Sequence, residues 1–63
     1  MSEFNKHLVF VVEDNSFFLD IVTTHLSDND NLIVRSFITA EEAIEKLNEN
    51  PEIIVLEIGR AHV

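Results

Sequence analysis

Acidic side chains fall at two places where a strand-like run ends. Glu13 and Asp14 close the apolar run Leu8-Val9-Phe10-Val11-Val12, and Glu57 closes Ile53-Ile54-Val55-Leu56. If the two runs are neighbouring parallel strands, the three acids meet at one rim of a sheet, where α/β folds collect their ligands. Crowded carboxylates raise one another's proton affinity unless a cation offsets the charge. An all-oxygen donor set suits Mg²⁺, which takes one or two carboxylates with waters and phosphate oxygens. The same spacing equally describes solvated acids at a helix N-terminus, where the helix dipole favours negative charge.

Elements must place those acids, and the apolar periodicity supplies them. The run at 8–12 is β-branched and aromatic throughout, as in a strand buried on both faces. Over residues 16–26, Phe18, Ile21, Val22 and Leu26 recur at helical spacing behind Asn15, a good N-cap. A polar turn at 27–31 leads to a strand at 32–37, whose polar content suits a sheet edge. Thr39-Ala40-Glu41-Glu42 has the form of a capping box, with Ile38 placed to staple against Ala43. A second helix is therefore expected from Ala40, burying Ala43, Ile44 and Leu47, and Pro51 ends it. A third strand is expected over 52–58. The order βαβαβ implies parallel strands joined by right-handed crossovers.

Bulk properties narrow the function. The chain has 63 residues, no cysteine, 46% apolar content and a formal charge of −8. A domain near that size buries only about 60% of its unfolded surface, and no disulfide or thiolate-bound metal is present to help. The acidic balance repels phosphate backbones and anionic lipid, so neither nucleic acid nor membrane is an expected partner. Neither a basic leader nor a run long enough to span a bilayer is seen, and a cytoplasmic setting is expected. His7, His25 and His62 lack metal-pairing spacing and read as surface or boundary residues. Glu41, Glu42, Glu45 and Glu49 read as a solvated face, and Phe17 as a border residue beside Phe18.

Three segments, Phe10-Val11-Val12-Glu13-Asp14-Asn15, Phe37-Ile38-Thr39-Ala40-Glu41-Glu42-Ala43 and Pro51-Glu52-Ile53-Ile54-Val55-Leu56-Glu57-Ile58, resemble successive landmarks of receiver domains from two-component response regulators. Order and spacing agree across residues 8–58. The resemblance implies an α/β fold: the βαβαβ N-terminal half of a flavodoxin-like, doubly wound parallel sheet with strand order 2-1-3. It assigns residues 1–58 to a truncated receiver and 59–63 to a divergent tail. It also implies Asp14 as a direct Mg²⁺ ligand, Glu13 as its water-mediated companion and Gly59 as a carbonyl donor. Glu57 stands at the phosphoacceptor position, and a histidine kinase is the implied partner.

Departures from the pattern bear on activity. Glu57 carries one more methylene than the aspartate expected there, which moves its carboxylate by roughly 1.5 Å on a fixed backbone. A misplacement of about 1 Å can cost on the order of 10²-fold in rate. Gly59-Arg60-Ala61-His62-Val63 lacks the proline expected near Ala61, and the strands bearing the family's hydroxyl switch residue and lysine are not in the sequence. The expected function is therefore a phosphorelay signalling module that does not accept phosphate as it stands and is not itself an enzyme. Two other readings stay open: an oligomerisation or interaction fragment, and a metal-dependent phosphohydrolase, although Glu13-Asp14 does not supply the Asp-x-Asp pair such enzymes use. Any magnesium site is expected to be weak or absent. A third strand at 52–58 that is unpaired on its far side predicts a homodimer through that edge.

Overall fold

Alternation along the first strand builds the core on both faces of a sheet. The structure, a computed structural model, describes residues 6–57. In β1 (His7–Val12), Val9 and Val11 turn to one face while Phe10 and Val12 turn to the other, and all four are buried. This is the central-strand pattern read from the sequence, and β1 lies between β2 (Leu32–Phe37) and β3 (Ile53–Leu56). Both pairings are parallel: His7 is level with Leu32 and Val12 with Phe37 on one side, and Val9 with Ile53 and Val12 with Leu56 on the other. Strand order 2-1-3 with two helices is the α/β pattern of half a flavodoxin-like sheet.

The helices take opposite faces. Helix α1 (Ser16–Ser27) packs Leu19, Val22 and Leu26 over Val9, Val11, Leu32, Val34 and Val55. Phe18 and Ile21, expected in this stripe, are instead 44% and 40% exposed. The helix carries apolar residues around more than half its circumference, and the set at i, i+3 and i+7 from Leu19 faces the sheet. Phe17 and Phe18 rest against each other at the border, with ring centroids 5.6 Å apart.

On the other face, Ala43 of α2 (Ala40–Glu45) closes over Phe10, Val12 and Phe37, and the rings of Phe10 and Phe37 meet at 4.8 Å. Ile44 and Leu47, expected to be buried, are 62% and 43% exposed. The cause is position: α2 lies against β1 and β2 and stops short of β3, which leaves an apolar hollow between them. α2 is also short, giving way to a 3₁₀ turn at Leu47–Glu49. Asn50 ends that turn in the left-handed region at φ 62°, which asparagine tolerates better than most residues, and Pro51 follows. Glu49, expected to be solvated, pairs with Arg35 at 2.9 Å, and that guanidinium also lies 5.8 Å from the centroid of the Phe37 ring. β3 is shorter than the strand expected over 52–58, since Glu52 and Glu57 fall outside its ladder, and residues 58–63, with the tail, lie outside the described residues. Among the described residues no helix is long and apolar enough to cross a membrane.

Candidate functional site

The backbone brings the expected acids to one rim. Helices on opposite faces mean that the chain winds one way from β1 to β2 and the other way from β2 to β3. The crevice between β1 and β3 is therefore the switch point at which such sheets bind ligands. At this rim the Glu13 N–H donates to the Phe37 carbonyl at 3.1 Å, and the Glu57 N–H donates to the Val12 carbonyl at 2.9 Å. Glu13 and Glu57 thus each stand one residue past the ordered ladder, on adjacent strands, with Asp14 next in the chain.

Their side chains fare differently. Asp14 and Glu57 are exposed, whereas Glu13 is only 1% exposed. Glu13 follows the inward parity of Val9 and Val11, and its Oε2 accepts the Asn15 N–H at 2.7 Å. Asn15 in turn caps α1, its Oδ1 accepting from the N–H groups of Phe17 at 2.9 Å and Phe18 at 3.2 Å. Carboxylate and cap form a relay that fixes where α1 leaves the sheet and satisfies amides that the first helical turn leaves open. Asn15 was legible as a cap; the holding role of Glu13 was not, and its one signal is an acid two residues before the cap.

This arrangement bears directly on magnesium. The donor chemistry is suitable, being oxygen only. One Glu13 oxygen is already taken inside the fold, Gly59 lies outside the described residues, and no three His, Cys, Asp or Glu side chains among those described are gathered as a metal-holding set. That leaves the exposed Asp14 and Glu57 as the free carboxylates of the rim, short of the closed set that holds a resident ion.

At the second helix, the Thr39 Oγ1 accepts the Glu42 N–H at 3.2 Å as the capping box requires. The return bond goes from the Ile38 N–H to Glu42 Oε1 at 3.4 Å, one residue earlier than expected. His7 pairs through Nδ1 with Glu52 Oε1 at 2.5 Å, tying the start of β1 to the approach of β3. His25 lies on the outer face of α1, beside a hollow of about 270 Å³ that Phe17 and Ile21 also line. His62 is outside the described residues. A second hollow, about 230 Å³ and lined only by apolar residues, runs between α2 and β3. No family model matches this chain, and no curated protein or solved structure matches it either.

Proposed function

We propose that the chain is a receiver-type module of a two-component phosphorelay, acting through protein contacts and without catalysis of its own. One observation carries the reading: strand order 2-1-3 sets Asp14 and Glu57, both exposed, at the carboxyl rim flanking the switch point. A histidine kinase is the partner class, and the cytoplasm is the setting that goes with it. At −8, neither nucleic acid nor an anionic membrane is favoured. Glu57 holds one negative charge where a phosphorylated aspartate would hold about two, so it supplies part of the activated state's charge without chemistry. A phosphohydrolase is the less favoured reading, because Glu13-Asp14 does not supply the Asp-x-Asp pair such enzymes carry after the first strand.

The test is intact mass after incubation with acetyl phosphate in magnesium buffer. The parent chain gains nothing. Glu57→Asp restores the acceptor of the pattern: where an adduct forms, a carboxylate oxygen at position 57 bonds to phosphorus, acetate leaves, and the product is hydroxylamine-labile. A phosphoryl group on the parent that Glu57→Gln removes would overturn the inactive assignment; an adduct on Glu57→Asp at any residue other than 57 would overturn the receiver reading.

A further inference from the structure

Among the described residues β3 is open on its far side and on its α2 face. It pairs only with β1 among the described strands, and on the α1 face only Val55 reaches the core, half-buried beside Leu19, Val9 and Val11. Ile53, Ile54 and Leu56 are 50%, 45% and 56% exposed. An edge that is apolar and unpaired is a template for another strand.

The ladder defines what that edge offers. His7 and Glu13 give their N–H groups to Asn31 and Phe37, so the odd residues of β1 face β2 and the even ones face β3. The Glu57 N–H returns to Val12. By alternation, Ile53, Val55 and Glu57 turn their backbone groups toward β1, and Ile54 and Leu56 turn theirs outward. Both also present their side chains to the α2 face, where they line the apolar hollow with Ile44 and Leu47.

We propose that two copies of the chain pair their β3 strands antiparallel about a two-fold axis at Val55. Ile54 then lies opposite Leu56 of the partner subunit in both directions, each pair exchanging two backbone hydrogen bonds, and Val55 meets its own copy between them. The result is a six-stranded sheet, β2-β1-β3-β3-β1-β2, with both α2 helices on one face and their hollows joined across the axis.

Charge and register favour a second copy as the occupant. None of the residues from 53 to 56, or those lining the hollow, is charged, whereas an approach through the exposed acids of α2 would set like charges together. In this register the only charged residue of the paired segment, Glu57, falls opposite Ile53 and not opposite itself. An axis at Ile54 would instead place Leu56 against Glu52. The inference does not depend on the signalling role.

Sedimentation of the 63-residue chain across the micromolar range should give twice the 7.2 kDa protomer mass. Leu56→Lys should halve that mass while keeping the parent circular dichroism, and Ile33→Lys on β2 should leave it unchanged. Independently of any folding loss, Val55→Cys, in a chain with no other cysteine, should oxidise to a covalent dimer, because Cα atoms about 4.5 Å apart at a non-hydrogen-bonded pair permit a disulfide. Ile33→Cys should not. A folded monomer, which would leave the edge to some other occupant, overturns the proposal. So does a dimer indifferent to Leu56→Lys, or equal cross-linking at 33 and 55.

Discussion

Replacing Glu13 by alanine should destabilise the fold more than any change at Asp14 or Glu57, although all three are acids at one rim. The Asn15 N–H would lose its acceptor, and a hydrogen bond to a charged group contributes about 1.5–3 kcal/mol. A void left by the removed methylenes adds about 1 kcal/mol. Set against a total near 3–9 kcal/mol for a chain of this length, the combined loss is a large fraction. Because about 1 kcal/mol moves the midpoint of so small a domain by roughly 4–8 °C, the melting temperature should fall by at least about 10 °C. Glu13→Gln keeps a carbonyl acceptor and should lose under half as much. Urea titration followed by circular dichroism, at one fixed protomer concentration because association shifts apparent stability, measures all of this. A cost for Glu13→Ala below about 0.5 kcal/mol, the range of an ordinary surface change, would refute the relay.

Magnesium should shift the amides of Asp14 and Glu57 only weakly, with Asp14→Asn abolishing the response and Glu13→Gln sparing it; heteronuclear NMR during the titration is the check, and shifts confined elsewhere would count against it. Phe10→Ala removes a fully buried ring from its contact with Phe37 and should cost about 3–5 kcal/mol, enough to populate the unfolded state in a thermal scan. Thr39→Ala should cost about 1 kcal/mol through the lost cap on α2, read from the urea midpoint.

The strands and the helix starts were legible because each rests on local chemistry. The run at 8–12 could only be a doubly buried strand, and Asn15 and Thr39 announce the helices they cap. Packing direction was less legible. In α1, Phe18 and Leu19 compete for the sheet, and hydrophobicity alone favours the larger side chain. The choice is made by where the Glu13 to Asn15 relay starts the first turn. Ile44 and Leu47 satisfy helical spacing, yet their exposure is set by where α2 lies across the sheet, which no local pattern encodes. Among the acids, the spacing predicted a shared rim. Inward parity at Glu13 then removed it from the exposed set, a strand-phase effect readable in principle from Val9 and Val11.

Because both helices lie over β1 and β2, hydrogen exchange should divide the molecule unequally. Amides of β1, β2 and the sheet-facing side of α1 share one packed unit and should open together at the highest free energy. β3 is held by a single ladder to β1, by Val55 alone against the α1-side core and by the exposed His7–Glu52 pair, so it should detach first and dock last in folding. The outward amides of Ile54 and Leu56 then report occupancy of the edge: slow exchange there, rising with protomer concentration, would show a strand whose order is completed by what it binds.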